Sequence, residues 1–344
     1  MGCFLTLIMN SSRNITSSMP PEQTLIYTIA MILNTFILPV IVFTGLVGNT
    51  VSCMVFVGKD LRRLSSSVYV LAVLISDTGT LLSLLSVWLE VLGFEINHMQ
   101  GICQLFVYLT YVCSFLSAWY MVCITVENFI TICHPMKVKV MCTKNRASAV
   151  VVILAAAAML MYSVTVITTQ VRTDAYNRQL CHQNPDFDFL VSVYTYVDSI
   201  VTLLLPVSSI GFMLVAMGFS IANTVRWRKN SPRTDSARRC IKSPQVRVTK
   251  MLFALSTTFL IMNAPLHCMR LYYLLRESAN VPTQMSHTAG LVHLFLLFIS
   301  YSHCAVKFFL FIGFSKNFRK SLKESGCMFS ACTKDVNSSS QVYV

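Results

Sequence analysis

Long uncharged stretches separated by short basic clusters set the pattern of this chain. They run from Gln23 to Gly58, Ile96 to Val126, Ala147 to Val171, Ser199 to Val225, Met251 to Met269 and Ser278 to Val306. Between the first two lies Leu64 to Leu89, interrupted only by Asp77. Each of these stretches reaches the roughly 20 residues that cross a ~30 Å hydrocarbon core, the last by continuing through Lys307. Backbone polar groups find no water in lipid, so each is predicted to be a helix. Barrel strands would alternate over about 10 residues; these runs are longer and apolar all round. Beyond the last run, Phe314, Phe318 and Leu322 recur four apart with lysines and an arginine between them. That spacing predicts a helix lying on a membrane surface. The fold class is therefore all-α membrane protein: a seven-transmembrane helix bundle plus a short amphipathic helix on the inner leaflet.

Composition agrees. The chain is 55% hydrophobic and 12% charged, against about 25% charged residues in soluble domains. Its net charge is +13, yet no nucleic-acid partner is expected, because Lys and Arg cluster between the uncharged runs. The first connection carries Lys59, Arg62 and Arg63; the third Lys137, Lys139, Lys144 and Arg146; the fifth, the densest, runs from Arg226 to Lys250. Lys316, Arg319, Lys320, Lys323 and Lys334 follow the seventh run. The opposite side holds only Arg13, Arg172, Arg178, Arg270 and Arg276. Basic loops stay in the cytoplasm, so the N-terminus is expected outside and the C-terminus inside. The domains read as an extracellular tail over 1–24, a membrane domain over 25–313, the surface helix over 314–326 and a cytoplasmic tail over 327–344.

Asn10 and Asn14 head glycosylation triplets in the tail assigned outside. Cys103 and Cys181 fall at external positions, where an oxidising environment permits a disulfide. Cys327 and Cys332 follow the surface helix, where palmitoylation and free thiols are both open readings. The fifth connection, basic and rich in Ser and Pro, reads as a mobile loop. No enzyme constellation is present: the seven histidines form no metal spacing, and neither a phosphate loop nor a nucleophile elbow occurs. No cofactor or metal is expected.

The segment "VENFITICHPMKV" at the inner end of span three resembles the "DRYxxICHPL" segment of rhodopsin-like (class A) G-protein-coupled receptors. Cys103 stands 24 residues before Glu127, as the family's disulfide cysteine precedes its acid. Gly48 and Asn49 match span one, Asp77 span two, Pro206 span five, and Phe259 with Pro265 span six. The resemblance covers about residues 25 to 325 and implies a Cys103–Cys181 bridge. It also implies that Glu127, Asn128 and Phe129 meet the G protein. The departures concentrate in one functional group: Asn128 and Phe129 replace an arginine and a tyrosine, Asn263 a tryptophan, Leu214 a tyrosine, and Lys307-Phe308-Phe309-Leu310-Phe311 an Asn-Pro-x-x-Tyr motif.

By the family's spacing, the aspartate of amine receptors falls at Thr110 and the retinal lysine of opsins at Tyr301, so neither class fits. The segment "SSSVYVLAVLISDTGTLL" and the disulfide-tethered outer loop resemble those of invertebrate FMRFamide-type and thyrotropin-releasing-hormone-type neuropeptide receptors. The candidate ligand residues are Trp88, Glu90, Gln104, Thr110, Tyr111, Arg270, Tyr273, His293 and Tyr301. Arg270 has two readings: a cation for a peptide carboxyl or carbonyl, or an ion pair with Glu277 or a loop aspartate. Trp88 and the tyrosines also fit an interfacial aromatic belt. The family's sodium-site residues correspond to Asp77, Ser117, His303 and Lys307, which implies a buried pair between Lys307 and Asp77; the other reading of Lys307 is a lysine snorkelling to the inner interface. The expected function is a plasma-membrane receptor for a short extracellular peptide, signalling through a heterotrimeric G protein. The alternative is a divergent chemosensory receptor of the same fold with atypical coupling. A transporter or channel is disfavoured, since two mid-membrane charges make no polar path.

Overall fold

The computed structural model describes residues 21–58, 64–94, 96–173, 179–230, 244–278, 287–316 and 318–324. Asn10, Asn14, Cys327, Cys332 and most of the fifth connection lie outside the described residues. Seven helices long and apolar enough to cross a membrane form a bundle: α1 Thr28–Val57, α2 Ser65–Val91, α3 Ile102–Cys133, α4 Lys144–Thr168, α5 Pro185–Thr224, α6 Thr249–Tyr273 and α7 Thr288–Phe314. α3 runs through the middle, packing on α2, α4, α5 and α6. The outside is apolar: Leu160 is 76% exposed and Phe212 74%, as a surface facing lipid tails should be.

Prolines shape two helices. α1 and α5 each contain a widened turn, Leu33–Ile37 and Ser199–Leu204. These turns lead into Pro39 and Pro206. Proline lacks an N–H for the carbonyl four residues back and crowds it, and a wider turn relieves both problems. Pro265 instead sits inside a continuous α6.

One core spreads from α3 towards the basic end of the bundle, with Phe56, Leu74, Met121, Ile124 and Phe311 fully buried. A second joins α1, α2 and α7 around Leu38, Leu81, Leu294 and Leu297. α1 and α7 approach closely because Gly48 has no side chain: a Cβ there would meet Phe308 at 2.8 Å.

Three sequence expectations need correction. The fourth uncharged run does not stay helical to Val171. α4 ends at Thr168, and β1, Thr169–Thr173, pairs antiparallel with β2, Gln179–Gln183, in the register Val171↔Cys181. A Cys103–Cys181 disulfide, which matches the expectation, ties this hairpin to the start of α3. The fifth span does not begin at Ser199: its helix already covers Asp188–Asp198. The apolar stripe beyond α7 is also not a single lipid-facing face. Phe314 closes α7 and is exposed, whereas Phe318, in a final helix α8 (318–324), is fully buried. Its ring packs against Phe56, Phe308 and Phe311 at centroid distances of 5.8, 6.3 and 5.5 Å. α8 is thus pinned to the bundle through Phe318.

Candidate functional site

A cavity of about 400 Å³ opens between α3, α5, α6 and α7. Thr110, Tyr111, Arg270, Tyr273, His293 and Tyr301 line it, as does Asp198. Trp88, Glu90 and Gln104 do not. Trp88 packs edge-on against Phe43 at 5.7 Å on the α1–α2 side. Glu90 accepts from Asn97 Nδ2 at 3.0 Å and lies 2.9 Å from His98 Nε2. It borders a smaller cavity of about 90 Å³ under the hairpin, a cavity that Thr110 and Tyr111 also line. Gln104 accepts from the Gly101 N–H at 3.1 Å and donates to the Thr169 carbonyl at 3.0 Å, joining α3 to the hairpin. Glu90 and Gln104 therefore shape the mouth of the bundle.

The floor of the cavity is polar. Asn263 donates to the Phe259 carbonyl at 2.9 Å, and Ser300 donates to Asn263 Oδ1 at 2.7 Å. This is the place of the family's tryptophan, and a hydrogen bond between α6 and α7 fills it. Below lies the charge pair. Asp77 and Lys307 are both buried and in direct contact, and Ser117 donates to Asp77 Oδ1 at 2.6 Å. Burial on Asp77 overturns the snorkelling reading of Lys307. His303 Nε2 stands 3.9 Å from the same carboxylate, with Nδ1 on the Ser300 carbonyl. Asp77, His303 and Cys304 bring three metal-type donors within 4.8 Å of one another. However, the ammonium of Lys307 holds the carboxylate, and Cys304 Sγ lies 3.7 and 3.9 Å from the two ring nitrogens. The positive charge already on that carboxylate opposes a second cation there, so the set does not favour a metal.

Sequence reasoning missed Asp198, His267, Asn263 and Ser300 as cavity residues. Asp198 sits just before an uncharged run, where it reads as a loop residue. Its Oδ1 accepts from the Tyr162 hydroxyl at 2.6 Å and from Thr202 at 2.9 Å.

At the opposite end of α3, Glu127 and Asn128 line a polar recess of about 120 Å³ with Ser65, Thr131 and Thr249. Ser65 hydrogen-bonds Glu127. Among the described residues no ion pair reaches Glu127, and neither Lys137 nor Lys139 serves as its partner. Asn128 is 1% exposed, and its Nδ2 has no hydrogen-bond partner. Phe129 packs edge-on against His134 at 5.8 Å. One helical turn inward, Thr125 and Ser256 hydrogen-bond at 2.8 Å, tying α3 to α6.

Comparison with known proteins agrees with this architecture. Residues 48–307 match the family described as 7 transmembrane receptor (rhodopsin family). Neuromedin-U receptor 2 of Rattus norvegicus is 22% identical over 302 residues, covering 82% of this chain and 72% of the relative. Neuromedin U receptor homolog nmur-2 of Caenorhabditis elegans is 22% identical over 305 residues, covering 80% and 74%. With seven packed spans, the hairpin disulfide and a family match over most of its length, the chain belongs to the rhodopsin family of seven-transmembrane receptors.

Proposed function

We propose that the chain is a plasma-membrane receptor for a short extracellular peptide, with its N-terminus outside and its C-terminus inside, signalling through a heterotrimeric G protein. The observation that carries this reading is the cavity of about 400 Å³ between α3, α5, α6 and α7, with Arg270, Tyr111 and Tyr301 on its walls. Arginine presents a rigid fork of donors suited to a peptide carboxyl or carbonyl, and tyrosines add area at low entropic cost. The names of both relatives, which mark neuromedin U receptors, favour a peptide over a small odorant. A ligand that reaches the floor meets Ser300 and Asn263, so its binding bears on α6 through their hydrogen bond. Movement of α6 would then strain the Thr125–Ser256 contact at the other end and open the recess around Glu127 and Asn128.

The test is a screen of the surface-expressed receptor against amidated neuropeptides, with calcium and cAMP as readouts. Arg270→Gln should weaken the best peptide by about tenfold or more, as expected for a lost charge-assisted hydrogen bond. Response to a small organic odorant with none to any peptide would replace this reading with the chemosensory one.

A further inference from the structure

The described part of the bundle holds two buried or half-buried carboxylates facing its interior from the cavity floor and wall, and they are treated differently. Asp77 is matched by Lys307. Asp198 has two hydroxyl donors on Oδ1, Tyr162 and Thr202, and no Lys, Arg or His within ion-pair distance among the described residues. An ionised group within a membrane span normally has a charged partner, and one without it marks a functional position. Arg270 lines the same cavity and attracts Asp198 at a distance, yet the two form no ion pair.

Asp198 is also held firmly. Tyr162 is fully buried and stacks on Tyr111 at 5.7 Å, so the hydroxyl that grips the carboxylate has little freedom. Asp198 stands where α5 passes into its widened turn, Ser199–Leu204. Such turns recur at functional sites because they re-aim side chains. Fixing one oxygen in this way leaves the other to meet whatever enters the cavity.

We infer that Asp198 receives a cationic group of the ligand, a guanidinium or ammonium, while Arg270 holds an acceptor at the other end of the same molecule. The ligand class is then a dipolar one, such as a peptide with a basic side chain beside a carbonyl or carboxyl. This rests on the reading of the cavity as the ligand site. It adds the requirement for positive charge.

The Nα-acetylated forms of arginine amide and citrulline amide test it, since blocking the α-amine leaves the side-chain charge as their one difference. Each is titrated into the purified full-length receptor while thermal unfolding is followed. The wild type should bind the acetylated arginine amide about ten- to a hundredfold more tightly than the acetylated citrulline amide, the value of a hydrogen bond between charged groups. Asp198→Asn keeps the acceptor for Tyr162 and should abolish that preference without lowering the unfolding midpoint of the free receptor. Asp198→Glu, which keeps the charge, should retain it. Equal response of the wild type to both amides, or to neither, overturns the inference. So does a lowered midpoint in Asp198→Asn that Arg270→Gln restores, because the two charges would then be partners of each other. A failed peptide screen beside a discriminating pair of amides counts against the peptide reading and leaves Asp198 in place. Peptide responses unaffected when arginine is replaced by citrulline do the reverse.

Discussion

Lys307 and Asp77 form a unit that neither residue could sustain alone. A lone charge at mid-membrane costs about 2.5–3.5 kcal/mol on insertion scales, and both side chains are buried. Removing one member leaves the other unmatched, commonly at a cost of about 3–5 kcal/mol. Lys307→Met and Asp77→Leu should therefore each lower surface delivery and thermal stability, and the double change should recover much of both. A double variant no better than either single one would show that the two do not act as a pair. By the family's spacing the ammonium stands where a sodium ion would sit, so wild-type ligand binding should ignore sodium, whereas Lys307→Asn should make it sodium-sensitive. The pair was legible in the sequence because Lys307 is alone in a long uncharged run and family spacing supplies Asp77. Asp198 was not legible: standing just ahead of the uncharged run, with Asp186 and Asp188 not far before it, it reads as one more loop carboxylate, and nothing in composition separates a cavity carboxylate from a solvated one. The hydrogen bond between Asn263 and Ser300 was half legible, as a missing tryptophan whose replacement partner lies 37 positions away.

Helices were easier to foresee than the pieces that join them. All seven spans follow from run length, because lipid leaves the backbone no other choice. The hairpin escaped notice because Thr169 and Val171 are uncharged and β-branched, so they extend the fourth run in hydropathy while favouring a strand. What fixes the strand is tertiary: the Cys103–Cys181 bond and the Gln104 hydrogen bond to Thr169. The disulfide closes a separation of 78 residues. Cys181→Ser should cost about 2–4 kcal/mol of stability and loosen the cavity mouth, read as a lower unfolding midpoint and faster ligand release. An unchanged midpoint in Cys181→Ser would mean that hairpin pairing alone holds the loop. α8 gives a second test at this scale. Phe318 is fully buried among three phenylalanines, so Phe318→Ala should cost about 3–5 kcal/mol, whereas Phe314→Ala at an exposed site should cost little. Similar losses from both would support the lipid-facing stripe that the spacing first suggested.

Signalling through such a receptor depends on how firmly its resting state is held at the face opposite the cavity. The family's charged arginine is Asn128 here, and Glu127 has a serine for company. In that region the Thr125–Ser256 hydrogen bond ties α3 to α6. A neutral hydrogen bond contributes about 0.5–1.5 kcal/mol, so its loss shifts a two-state balance by roughly fivefold. Thr125→Val should thus raise ligand-independent signalling about fivefold. Asn128→Arg, which restores a cation next to Glu127, should lower it by pairing the acid at rest. Because Asn128 also offers a partner no positive charge, the proposed contact with a G protein is expected to draw on the basic fifth connection, where the chain concentrates its lysines and arginines. Deleting residues 235–243, which lie outside the described residues, should then abolish ligand-driven G-protein activation while leaving ligand affinity unchanged. In the Asn128→Arg background the same deletion should be tolerated in part. Full activation after the deletion in the wild-type background would show that the recess around Glu127 and Asn128 suffices, and that the basic loop serves only to set the orientation of the chain in the membrane.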